Sequence, residues 1–74
     1  MSEAEFLEKL REIIQRDDAI SADLYLWDMD EWDSLAIMAC MAWFERDFGR
    51  VLKFSELKDL DSPAQLFALA DGSK

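Results

Sequence analysis

The sequence predicts an all-α fold, a bundle of three main helices and one short helix, on three observations. Two glycines and one proline in 74 residues leave little for the tight turns of β-hairpins. Leu, Ala, Glu and Lys, all good helix formers, are frequent. Apolar residues recur at helical spacing behind N-cap residues in several separate stretches. The length predicts one domain over 1–74, and 51% of its residues are hydrophobic. A chain this short needs that density, because it buries only about 60% of the surface its unfolded form exposes.

Ser2 followed by Glu5 is a capping-box pattern, and Phe6, Leu7, Leu10, Ile13 and Ile14 follow at helical spacing with Glu8, Lys9, Arg11 and Glu12 between them. The first helix is therefore expected from about Ser2 to Arg16. From Asp17 to Asp33 the periodicity stops. Asp17, Asp18, Asp23, Asp28, Asp30, Glu31 and Asp33 place seven acids there without one lysine or arginine. The segment is expected to be a long loop but an ordered one, since Ile20, Leu24, Tyr25, Leu26, Trp27, Met29 and Trp32 are too much apolar material to leave in water.

A second helix is expected from Asp33 or Ser34, either of which can cap a first turn, to Gly49, a usual residue just past a helix end. Arg50 to Lys53 reads as a connector and Phe54 to Leu60 as a brief amphipathic helix. Ser62, Pro63 and Gln65 combine an N-cap, a proline at the first helical position and a capping-box partner. They open a last helix through Leu66, Phe67, Leu69 and Ala70, followed by a polar end at Asp71–Lys74.

Composition removes several classes of function. Seventeen acids against eight bases give a net charge of −9, which argues against attraction to nucleic acid phosphates and for basic partner surfaces. No apolar run reaches the roughly 18 residues of a membrane span, and the Met-Ser-Glu-Ala-Glu start is unlike a secretory signal, so a cytoplasmic location is expected. The single cysteine, Cys40, has no disulfide partner in the chain, and without histidine it makes no ordinary zinc site; a buried thiol is expected. Asp28 and Asp30 have the one-three spacing of a calcium-binding EF-hand loop. The pattern then breaks at Trp32, at Asp33 in the glycine position and at Ala39 in place of the closing glutamate.

The informative stretch is Trp32-Asp33-Ser34-Leu35, a serine at the start of an apolar helix and behind an acidic loop. The N-terminus of a helix presents unpaired N–H groups and the positive end of the dipole, so a phosphate esterified to Ser34 Oγ would sit in a favourable field. As a hydrolytic nucleophile Ser34 is poorly served, since the chain has no histidine to act as base.

Here the chain resembles the acyl carrier and peptidyl carrier proteins, whose attachment site is an Asp-Ser-Leu tripeptide at the start of the second of four helices. Asp33, Ser34 and Leu35 match that tripeptide. Glu45, Asp47, Phe48 and Gly49 match the family's end of that helix, and Asp61-Ser62-Pro63 with Leu66 its start of the fourth. The resemblance covers nearly the whole chain and implies a four-helix bundle of acyl carrier type. It also implies a 4'-phosphopantetheine arm on Ser34, carrying acyl or aminoacyl intermediates as thioesters, with Asp33 and Leu35 flanking the attachment. The implied partners are a phosphopantetheinyl transferase, an acyl- or aminoacyl-loading enzyme and a downstream transferase or synthase. The protein would then be a monomeric carrier and not itself an enzyme. The reading from a different class is a small helical interaction module without a covalent cofactor.

Leu35 to Phe44 is an unbroken apolar run. Ile37, Cys40, Met41, Phe44 and Phe48 form one stripe, expected to face the core, while Leu35, Met38, Ala39 and Ala42 form a second on roughly the opposite side. Either neighbouring segments cover this second stripe or partners do, and Met38, Ala39 and Ala42 are the residues expected to face partners. In common fatty-acid carriers the outward face is acidic; here Ala36 and Ala39 occupy two of the corresponding places and Arg46 departs further, which implies a dedicated partner with a more apolar docking surface. Trp27 is assigned to packing. Trp32 and Trp43, flanking the ends of the second helix, stay open between packing and contact with an arm or acyl group.

Overall fold

The computed structural model describes residues 1–70, so the polar end expected at 71–74 lies outside the described residues. Four α-helices run in the order α1 (Glu3–Ile13), α2 (Ser34–Phe48), α3 (Phe54–Lys58) and α4 (Pro63–Ala70), with one turn of 3₁₀ helix at Leu26–Asp28 inside the long loop. No strand occurs among the described residues.

The first helix starts as its residues dictate. Ser2 Oγ accepts from Glu5 N–H at 3.2 Å and Glu5 Oε1 accepts from Ser2 N–H at 2.9 Å, the complete capping box. Its end comes earlier than the periodicity suggests. Gln15 adopts φ 60°, Gln15 N–H donates to Glu12 O at 3.2 Å and Arg16 N–H to Arg11 O at 2.9 Å. These two bonds make a Schellman motif with glutamine in the place usually held by glycine. Arg16 then leaves the helix axis, and its Nη1 bonds Glu31 Oε1 across the loop at 2.8 Å.

The left-handed region costs a non-glycine residue roughly 1–2 kcal/mol, and the extra freedom of glycine in the unfolded chain offsets about 0.4–1 kcal/mol of that. Gln15→Gly is therefore expected to raise stability by about 0.5–1 kcal/mol, seen as a higher urea midpoint at unchanged m-value. An unchanged or lower midpoint would show that contacts of the glutamine side chain outweigh the strain.

The loop is ordered because it is stitched to the far end of the chain. Leu26 N–H donates to Asp61 O at 2.7 Å, Ala64 N–H to Ala22 O at 3.0 Å and Trp27 Nε1 to Lys58 O at 3.2 Å. Ile20, Leu26, Met29 and Trp32 are buried with the helices in one core. In the second half, Gly49 at φ 65° ends α2, and Glu56 Oε1 accepts from Lys53 N–H at 2.7 Å to begin α3, which stops at Lys58, short of the expected Leu60. Gln65 does not close a capping box on Ser62 as expected; its Oε1 accepts from Asp61 N–H at 2.6 Å, one residue earlier, and so ties the chain entry to α4.

An aromatic cluster locks α1, α2 and α4 together. The Phe6 ring lies 5.0 Å from Trp43 in a stacked pair and 5.2 Å from Phe67, while Phe44 meets Phe48 edge-on at 5.1 Å. Such pairs add about 0.5–1.5 kcal/mol each beyond area burial. Cys40 is buried inside this core, and burial pushes its thiol up to about 12, which leaves it protonated and unreactive at neutral pH.

Candidate functional site

The site is built where the long loop delivers the chain into α2. Asp33 is the N-cap, in extended conformation, and its Oδ1 accepts the Ala36 N–H at 2.9 Å while its carbonyl accepts Ile37 N–H at 2.9 Å. Ser34 is the first residue of the helix and is exposed. Of the four N–H groups that a helix start leaves without intrahelical partners, those of Asp33, Ser34, Leu35 and Ala36, the Asp33 carboxylate serves that of Ala36, and those of Ser34 and Leu35 stay available. Because the carboxylate does the capping, the Ser34 hydroxyl is not consumed by it.

Leu35 is 74% exposed and Met38 49% exposed, and Ala42 is exposed in line with them. Ala39 is only half-buried, lying at the edge of this face. Ala36 differs from expectation: it is buried, because α2 turns this position toward the end of α1, and it presents nothing outward. The fully buried positions of α2 are Ala36, Ile37, Cys40, Trp43 and Phe44, with Met41 and Phe48 partly covered. The core stripe is therefore rotated from the expected one toward Ala36 and Trp43.

The structure also separates the three tryptophans. Trp32 and Trp43 are buried structural residues, which removes them from any contact with a surface arm. Trp27, assigned to packing, is 42% exposed and stands edge-on to Trp32 with ring centroids 6.4 Å apart.

Of the seven loop acids, Glu31 alone forms an ion pair among the described residues. A hydrogen bond from its own backbone, then the Arg16 guanidinium, hold its carboxyl below the ordinary value of 4.5. On the far end of α2, Arg46 Nε donates to Asp47 Oδ1 at 3.0 Å, so the basic residue that breaks the acidic pattern is partly neutralised by its neighbour.

Beside Ser34 lies a groove of about 490 Å³ between the C-terminal end of α1 and the first turns of α2. Ile13, Ile14, Leu35, Ala36 and Ala39 form its apolar walls, and Gln15, Glu31 and Asp33 its polar rim. No sequence signal marks this groove, since it arises from the meeting of two helices that are far apart in the chain. Among the described residues no group of three or more acidic, cysteine or histidine side chains is placed to hold a metal ion, and no helix is long and apolar enough to cross a membrane.

Comparison with family models, with curated proteins and with solved structures returned no match. The class that the architecture defines is a small all-helical bundle with a serine displayed at a capped helix start.

Proposed function

We propose that this protein is a carrier whose Ser34 accepts a 4'-phosphopantetheine arm and which presents thioester-linked acyl or aminoacyl groups to partner enzymes. The observation that carries the reading is the division of labour at the start of α2. Asp33 caps the helix, and Ser34, one residue later, is left exposed with its hydroxyl uncommitted.

The residues suit the group chemically. When bound, the arm supplies a terminal thiol for thioester formation. In the loading step, Ser34 Oγ attacks the phosphorus of coenzyme A that bears the pantetheine. The new O–P bond forms as the pyrophosphate bond breaks, 3',5'-adenosine diphosphate leaves, and the serine proton passes to a base of the phosphopantetheinyl transferase. The product phosphodiester would stand at the positive end of α2, where the N–H groups of Ser34 and Leu35 have no intrahelical partner. Leu35, Met38 and Ala42 give the loading enzyme and the downstream transferase or synthase an apolar strip to dock on.

That strip also favours a second reading, an interaction module that binds its partner through α2 with no covalent arm. Incubation with a broad-specificity phosphopantetheinyl transferase and coenzyme A, followed by intact mass and peptide mapping, separates the two. The carrier reading expects one phosphopantetheine on the Ser34 peptide; an unmodified mass under conditions that load a control carrier would leave the interaction module.

The loop acids predict how loading responds to salt. Six carboxylates without ion-pair partners among the described residues repel one another and attract a basic transferase. Raising ionic strength from about 0.01 to 0.1 M shortens the Debye length from about 30 to 10 Å, and is expected to raise the melting temperature while slowing loading. Loading rates indifferent to salt over that range would exclude electrostatic steering.

A further inference from the structure

Tyr25 and Trp27 leave large rings at the surface, 48% and 42% exposed, while the other two tryptophans are buried. Neither ring lines the groove beside Ser34. The Trp27 indole is nonetheless fixed: its Nε1 donates to Lys58 O at 3.2 Å, and its ring meets the buried Trp32 edge-on. A ring held in place before anything binds loses little side-chain freedom on being engaged.

The bonds that order the loop also bring the connector between α3 and α4 beside these rings, since Leu26 N–H donates to Asp61 O at 2.7 Å. Asp23 and Asp28 from the loop and Asp59 and Asp61 from the connector are all exposed. None of the four forms an ion pair among the described residues. Lys58 is the one base in 17–45 and 54–70, so the surroundings of the two rings are strongly acidic.

We infer that this surface docks an arginine-bearing segment of a partner protein. Carboxylates alone attract any cation, and exposed rings alone attract any apolar group. Together they select a guanidinium, which lies flat on an indole while its edge N–H groups donate to carboxylates. An ammonium group has no plane to stack and gives up its water less readily. A net charge of −9 repels nucleic acid and anionic lipid, the other surfaces on which exposed tryptophans are used. Carboxylates supplied by two segments serve more than one cation, which suits a segment of chain over a single side chain. None of these residues belongs to α2. A partner held here leaves Ser34 and the apolar strip of α2 free, and the inference stands whether or not an arm is attached.

The test titrates the ¹⁵N-labelled full chain, without any arm, with a peptide of alternating glycine and arginine and with its lysine counterpart of equal length and charge. At about 0.15 M salt the Debye length is about 8 Å, so charges at the far end of a molecule 27 Å long are screened from the surface. The arginine peptide is expected to shift the Trp27 indole signal and the amides of Tyr25 and Asp61 and to leave the Trp43 indole unmoved. The lysine peptide is expected to bind about two- to fivefold more weakly, the size of one exposed cation–π contact, and Trp27→Ala to weaken the arginine peptide about fivefold or more. Should Trp27→Ala fail to fold, Asp28→Asn with Asp59→Asn serves. That pair is expected to weaken binding at least about twofold, whereas Glu3→Gln with Glu45→Gln, which removes the same charge from the ends of α1 and α2 away from the loop, leaves it unchanged. Equal affinity for the two peptides, equal weakening by the two charge pairs, shifts confined to α2, or no shift at about 1 mM peptide overturns the docking site. Loading at Ser34, read separately by mass, is untouched by any of these results.

Discussion

Phe44→Ala is expected to destabilise the protein by about 3–5 kcal/mol, the range for removing a fully buried phenylalanine and leaving a cavity behind. Phe44 has no exposed surface, and its ring contacts Phe6 at 6.1 Å, Trp43 at 5.3 Å and Phe48 at 5.1 Å, three edge-on or near edge-on pairs lost together. Total stability for a chain of this length is on the order of 4–11 kcal/mol, so the variant is expected to be partly unfolded at room temperature. Urea unfolding followed by tryptophan fluorescence measures it, because Trp43 lies in the same cluster. Met38→Ala, on the exposed side of the same helix, provides the contrast: its cost is expected within about 0.5 kcal/mol. Equal losses in the two variants would mean that α2 has no distinct inner and outer faces.

The order of the helices, the cap at Ser2, the start of the second helix at Asp33 or Ser34 and the stop at Gly49 were legible in the sequence because each depends on residues within one turn of each other. What was not legible depends on distant segments. Arg16 and Glu31 lie 15 residues apart in the chain, and only the left-handed turn at Gln15 points the arginine toward the loop. The rotation of the buried stripe has the same origin. A helical wheel locates an apolar face, but in an unbroken run such as Leu35–Phe44 every direction is apolar, and the choice passes to whatever packs against it. Phe6, stacked on Trp43, makes that choice at one end of α2, and the end of α1 over Ala36 makes it at the other. The tryptophans follow from this, since Trp43 is drawn inward by a residue that sequence spacing does not bring near. Ser34 itself was legible as a helix start, while its release from capping duty required seeing which of two candidate caps bonds Ala36.

That release gives the sharpest expectation. Ser34→Ala is expected to abolish phosphopantetheine loading completely, because no other hydroxyl stands at the start of an apolar helix behind the acidic loop. The same change is expected to leave stability unaltered or slightly higher. Asp33 keeps its bond to Ala36 N–H at 2.9 Å, the serine hydroxyl contributes no cap, and alanine is the better helix former. Asp33→Ala inverts the pattern. It removes the cap and costs about 0.5–2 kcal/mol, while the acceptor hydroxyl at Ser34 remains in place. Measured together, mass increment and urea midpoint assign a separate role to each of two adjacent residues. A loss near 1 kcal/mol in Ser34→Ala with no loss in Asp33→Ala would show that the serine is the cap. Continued loading of Ser34→Ala would place the attachment elsewhere, and the carrier assignment built on this helix start would fall with it.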